Sequence, residues 1–178
     1  MEPEVHIIEK YFQEVMHCFT MTNIQLKGKK EIDLLAVNPM EKQYYHIESS
    51  IHTMNKLARM DDLDNFQKEK FEPQIVKQKI REVFGNVPYH KMLVVWNANV
   101  DLVDIAKKRY GTELQALGGI LYYFRRKQVT SGSRDDILRV LELVYVMEKE
   151  DKIIEKHLMR KKETLDIALS HAVQKGSS

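Results

Sequence analysis

Two short runs of the chain place an acidic residue inside an otherwise apolar, strand-forming segment: EIDLLAV at 31–37, with Asp33, and YYHIESS at 44–50, with Glu48. An ionised carboxylate in such a segment is costly unless a partner compensates it. Two carboxylates converging on one sheet edge are compensated with least rearrangement by a divalent cation, since hard oxygen ligands suit Mg²⁺. The period of two along the second run puts His46, Glu48 and Ser50 on one face and Tyr45, Ile47 and Ser49 on the other. Asp33 can face the first set across a hairpin. An ion held there lowers the pKa of its water and neutralises charge growing on oxygen, so metal-assisted hydrolysis is the chemistry on offer. The competing reading makes Asp33 and Glu48 ion-pair partners of nearby Lys or His residues on a half-exposed sheet.

The elements that must position these residues are legible from periodicity. Val5, Ile8, Phe12, Val15, Met16 and Phe19 recur at helical steps and predict an amphipathic opening helix. A short strand over 23–26, a turn at Gly28, Lys29 and Lys30, a strand over 32–37 stopped by Asn38 and Pro39, and a strand over 43–51 predict an antiparallel meander. Residues 52–70 read as a polar loop with a short helix, and 73–84 as a helix ended by Gly85. The nearly continuous apolar run KMLVVW at 91–96 predicts a strand buried on both faces and parallel to its neighbour, with Trp96 packed and not free to stack on a base. A helix capped by Asn99 or Asp101 and ended by Gly111, a strand over 119–124, a loop at Ser131, Gly132 and Ser133, and helices over 135–147 and 151–173 complete the order.

Composition bounds the answer. The chain has 178 residues, 43% hydrophobic and 30% charged, enough for one good core, and the expectation is a single domain over 1–175. No apolar run is long enough for a membrane span and the opening MEPEVHIIEK does not read as a secretory signal, so an intracellular, cytoplasmic setting without a membrane partner is expected. Cys18 is the only cysteine, which excludes an internal disulfide and a cysteine-rich zinc site. Net charge is +2, too small by itself to name a ligand, though Lys27, Lys29 and Lys30 cluster before the Asp33 strand and Arg125, Arg126 and Lys127 follow the 119–124 run. The usual signatures of zinc peptidases, nucleotide hydrolases, dehydrogenases and serine hydrolases are missing from the sequence.

The order helix, strand, Asp strand, Glu strand, helix, strand over residues 4–96, with GKKEIDLLAV leading into Asp33, resembles the PD-(D/E)XK nuclease superfamily, which includes restriction enzymes and archaeal Holliday-junction resolvases. The resemblance implies an α/β fold with a restriction-endonuclease-like αβββαβ core and a mixed central sheet, followed by an additional strand and two C-terminal helices over 97–175. It implies a Mg²⁺- or Mn²⁺-dependent phosphodiesterase acting on DNA, with a homodimer common among its members. By it Asp33 and Glu48 are metal ligands, the Ile47 carbonyl supplies a further oxygen, and Glu9 on the first helix completes the shell, with Glu14 in reserve. Lys27, Lys29, Lys30, Arg125 and Arg126 are then the nucleic-acid contacts.

The pattern departs from the family at one place. Its strand ends in Glu-x-Lys, whereas the residue two beyond Glu48 is Ser50. Ser50 can hydrogen-bond a water but brings no charge. A substitute cation must come from elsewhere, and Lys77, Lys79 and His52 are the expected sources. Without one, the chain is a catalytically degenerate module that binds nucleic acid or a protein partner.

Overall fold

The computed structural model describes residues 2–51, 56–57, 59–127 and, further on, 135–136, 138–140 and 144. The chain gathers into two compact units, Met1–Val129 and Thr130–Ser178. In the first, helix α1 (Pro3–Glu14) has Pro3 in its first turn, where a missing N–H costs nothing, and buries Val5, Ile8 and Phe12. Strands β1 (Phe19–Gln25), β2 (Glu31–Asn38) and β3 (Gln43–Ser50) follow as the expected antiparallel meander.

Two turns fix the register. Gly28 (φ 78°) and Lys29 (φ 59°) take left-handed backbone between β1 and β2. Between β2 and β3, Asn38 Oδ1 accepts from the N–H groups of Met40 and Glu41, both at 3.0 Å, and Lys42 has φ 54°. The register matters because a slip by one residue would carry Asp33 or Glu48 to the opposite face.

Beyond β3 lie a short strand β4 (Lys56–Leu57), helix α2 (Met60–Phe66), a π-helical segment (Gln67–Phe71), helix α3 (Gln74–Phe84), strand β5 (His90–Val95), a short strand β6 (Asn97–Ala98), helix α4 (Val100–Tyr110), strand β7 (Thr112–Ala116) and helix α5 (Leu117–Lys127). The five-stranded sheet runs β1-β2-β3-β5-β7, antiparallel as far as β3 and parallel from β3 through β5 to β7, so the mixed α/β architecture is as expected. β4 and β6 pair separately and in parallel.

Helices cover both faces. Phe12 of α1 meets Tyr45 edge-on at 5.3 Å, and Tyr11 meets Phe124 of α5 at 6.3 Å. On the other face Val76, Ile80 and Phe84 of α3 pack on Ile32 and Leu35. Beside them Leu63, Phe71, Leu93, Val95, Leu102 and Ala106 form a second cluster. Asn99 caps α4, its side chain accepting from the Asp101 N–H at 3.3 Å, and Gly111 (φ 63°) ends it.

Two elements differ from expectation. The opening helix ends at Glu14, short of Val15, Met16 and Phe19, and Phe19 instead opens β1 with 74% of its surface exposed, four residues before the strand was expected. Residues 119–124 are helix, not strand, and the last strand of the sheet is Thr112–Ala116, directly after Gly111. Leu117, Ile120 and Phe124 are buried at helical spacing, but they sit in a continuous apolar run whose period is ambiguous. The true strand, TELQA, is half-buried at the sheet edge and carries little β-propensity. In the second unit, Asp135 accepts from Leu138 N–H at 3.1 Å through its side chain and from Arg139 N–H at 3.0 Å through its carbonyl, which starts a helix where one was expected. The loop at 131–133 and the helix at 151–173 lie outside the described residues. Among the described residues no helix is long and apolar enough to cross a membrane.

Candidate functional site

Alternation along β3 sends Tyr45 to the α1 face and His46 and Glu48 to the face covered by the π segment, where Phe71 meets the His46 ring at 4.8 Å. Leu34 pairs with Ile47 and Leu35 with His46, so the same register carried one step further sets Asp33 against Glu48. The ladder stops before that step, and the Ser49 N–H donates at 2.7 Å to Asp33 Oδ2. On the β1 side the pairing also skips a step: Thr22 pairs with Leu34 and Ile24 with Ile32, while Asn23, between them, has φ 51°. Asp33 therefore stands where the backbone ladders on both sides skip it, and its carboxylate bonds β3 through one oxygen while the other faces Lys70.

Three side chains converge at this point. Lys70 Nζ lies 3.5 Å from Asp33 Oδ1 and 3.0 Å from Glu48 Oε2. One ammonium thus bridges the two carboxylates, and a Mg²⁺ with ~2.1 Å bonds to both would need their oxygens to close to about 4 Å. Glu48 is fully buried, and its Oε1 lies 2.7 Å from His46 Nε2. Its Oε2 has the ion-pair contact with Lys70 but no well-aligned hydrogen bond.

Burial governs the charges. It lifts Glu48 to about 7, against the pull of Lys70 and its hydrogen bonds. Burial, reinforced by the Glu48 charge, lifts Asp33 to about 6, with Lys70 and the Ser49 N–H acting the other way. Burial also drives His46 down to about 3, so the ring is neutral and donates Nε2–H to an ionised Glu48. Its Nδ1 is buried and has no hydrogen-bond partner. Burial works against the Lys70 ammonium, but the charges of Glu48 and Asp33 outweigh it and raise its pKa. With both carboxylates ionised, a single ammonium leaves excess negative charge in a poorly solvated place, which a divalent cation would neutralise.

The remaining expected residues fall as follows. Ser50 ends β3, partly buried and on the Glu48 face by alternation, while the Ile47 side chain packs on the opposite face. Glu9 does not join the cluster. It accepts from Thr20 Oγ1 at 2.9 Å, and Thr20 pairs with Ala36, which pairs with Tyr45, so this contact lies on the α1 face. Glu14, at the end of α1, is exposed. Lys79 pairs with Glu82 at 3.1 Å and Lys77 lies near Lys91, while the cation acting on Asp33 and Glu48 is Lys70. His52 lies outside the described residues.

Lys27, Lys29 and Lys30 are exposed in the turn leading into Asp33, with Lys30 Nζ 3.5 Å from the Glu69 carbonyl in the π segment. Arg125 and Arg126 sit in the last turn of α5, with side chains outside the described residues. Trp96 is 40% exposed, where packing was expected. No family model matches the chain, and no curated protein does. Among solved structures, the crystal structure of a protein of unknown function, AF1548, aligns with a TM-score of 0.46 at 13% identity over 68% of this chain and 66% of that one.

Lys70 is the residue that sequence reasoning missed. A signal existed: Leu63, Gln67 and Phe71 are buried at helical steps, and Lys70 falls on that stripe, a cation where the pattern calls for an apolar residue. The Gln67 amide and Thr112 hydroxyl bond each other at 2.9 and 3.1 Å and anchor the segment to β7.

Proposed function

We propose that the chain is a divalent-cation-dependent phosphodiesterase of PD-(D/E)XK type acting on DNA, with Lys70 in place of the lysine that would follow Glu48 by two residues. The convergence of Asp33, Glu48 and Lys70 on one point carries this reading. The residues fit Mg²⁺ or Mn²⁺: two hard carboxylate donors within reach of each other, one with a buried oxygen lacking an aligned hydrogen bond, and a net negative charge when both are ionised. Among the described residues no group of three or more His, Cys, Asp or Glu is placed to hold a metal, so the two carboxylates would leave most of an octahedral shell to water.

When bound, the metal would make one of its waters acidic and screen the negative charge on the phosphate. The protein's own groups do the rest. The Ser49 N–H orients Asp33, and neutral His46 orients Glu48. Lys70, with a side chain 28% exposed against 0% for Glu48, reaches the solvent side and presents an ammonium to the attacking water or to a phosphate oxygen. Lys27, Lys29 and Lys30 flank the same end and favour a polyanion.

The test is cleavage of supercoiled, single-stranded and branched DNA with Mg²⁺ or Mn²⁺, run beside EDTA and the Asp33→Ala and Glu48→Ala proteins. Metal-dependent cutting that both substitutions abolish is the expected result. A second reading has one observation in its favour, namely that Lys70 already bridges both carboxylates. In it the ammonium permanently replaces the metal and the fold binds nucleic acid or a protein without cutting. Salt-sensitive DNA binding indifferent to chelator, with no cutting, would select it.

A further inference from the structure

The end of the sheet that holds Asp33 and Glu48 also holds an aromatic surface with no role in the cluster. Ser50 and Val95 are the last pair of the β3–β5 ladder, and Trp96 follows Val95 with 40% of its surface exposed. Glu48 pairs with Leu93, so the indole is rooted ~10 Å further along and one ~4.8 Å strand spacing across. The other exposed aromatics lie elsewhere, Phe19 at the far end of β1 and Tyr122 on α5. Charge is divided across this rim. The β1–β2 turn on one flank brings Lys27, Lys29 and Lys30, while the start of α4 just after Trp96 brings the exposed Asp101 and Asp104. A phosphate is favoured on the first flank and disfavoured on the second, where an uncharged flat group fits better.

We propose that Trp96 is a base-stacking contact, and that the substrate class is nucleic acid with an unpaired segment at the site: phosphates follow the lysine turn and a splayed base lies on the indole. The proposal rests on the nucleic-acid reading above. Stacking on an aromatic ring is tolerant of sequence but needs a base free of its duplex neighbours, so the contact selects single strands, frayed ends or branches over intact duplex.

Trp96 is the only tryptophan, so intrinsic indole emission reports on this position alone. The wild-type chain is titrated in EDTA, which prevents metal-dependent cutting, with an unstructured oligothymidylate and with a blunt-ended duplex of equal length. Saturable quenching by the single strand is expected, with roughly tenfold weaker single-strand binding by anisotropy in Trp96→Ala and partial recovery in Trp96→Phe. Should Trp96→Ala fail to fold by circular dichroism, the wild-type quench and the Trp96→Phe affinity decide. Binding without quenching, equal quenching by duplex, or no binding of either DNA overturns the proposal. So does an emission shift that depends on protein concentration without DNA, which would place a protein contact on the indole. Cutting that Asp33→Ala abolishes, without quenching, removes the stack and leaves the nuclease reading. Quenching without any metal-dependent cutting does the reverse.

Discussion

Replacing Glu48 with glutamine is expected to weaken the folded chain slightly in acid and strengthen it in base. Burial holds this carboxylate at about 7 against an ordinary 4.5. At ~1.36 kcal/mol per pH unit, keeping it ionised in the metal-free fold costs roughly 3 kcal/mol. Because the folded pKa lies above the unfolded one, wild-type Glu48 favours folding fully only below the unfolded value, and that contribution is lost as pH rises through 7. Glutamine removes the pH-dependent cost. It gives up the Lys70 contact at 3.0 Å and turns an amide N–H₂ towards the ammonium, while its oxygen can still accept from His46. That loss offsets about 1 kcal/mol. Near pH 4 the variant is therefore about 1 kcal/mol less stable than wild type, and near pH 8 about 2 kcal/mol more stable, a rise in Tm of roughly 4–8 °C at ~2–4 °C per kcal/mol. Chelator-treated protein followed by thermal melts across pH 4–8 measures this directly. Equal destabilisation at both ends would refute the reasoning and identify Glu48 as a settled structural ion pair.

Saturating Mn²⁺ or Mg²⁺ should raise the wild-type Tm at pH 8, by up to ~3 kcal/mol of stabilisation at a hundred times the dissociation constant, and should do little at pH 5 where the carboxylates are protonated; differential scanning fluorimetry reads both, and Asp33→Asn should abolish the shift. Lys70→Ala is expected to slow DNA cleavage by at least ~100-fold, whereas Lys79→Ala, which removes an ion pair with Glu82, changes the rate less than about threefold; the reverse ranking would return the missing cation to α3. Phe71→Ala, emptying a fully buried ring site against His46, should cost ~3–5 kcal/mol in urea unfolding, and a loss below ~1 kcal/mol would show that the π segment is not packed as described.

Sequence legibility followed periodicity closely. The stripe Val5, Ile8 and Phe12 gave α1 its buried face, and the runs around Asp33 and Glu48 gave the meander its strands, because a period of 3 to 4 or an apolar strand flanked by turn residues states the answer locally. Residues 119–124 failed for the complementary reason: an unbroken apolar run fits a strand or a helix equally, and tertiary packing on α1 decides. The approach of Asp33 to Glu48 was readable from two strands joined by a short turn. The fate of Glu9 was not, since a helix preceding a sheet can offer its carboxylates to either end of it, and the contact with Thr20 appears only in three dimensions. Lys70 fell on a readable stripe, but its inward aim was set by a local departure from the α-helix. The π segment closes with the Glu72 N–H on the Gln67 carbonyl, one residue wider than an α-turn, and such a widening alters which residue of a polar stretch points inward.

Under the proposed function, that widening supplies the charge that Ser50 does not. A cation acts on a water or a phosphate through the position of its charge, and the element that carries it is indifferent to the field. At the position of Ser50 a lysine would need only the strand to hold it. Brought from the covering layer, the same charge depends on three supports: Phe71 against His46, Gln67 against Thr112, and Leu63 in the cluster with Leu93. Two of these reach strands β5 and β7, on the far side of β3 from Asp33. A lysine on β3 would move only with its own strand, whereas Lys70 moves with the layer that covers the face. The π segment thus ties the one solvent-reaching charge of the cluster to the rigid parallel half of the sheet, while the two carboxylates stand on the antiparallel half and at its border.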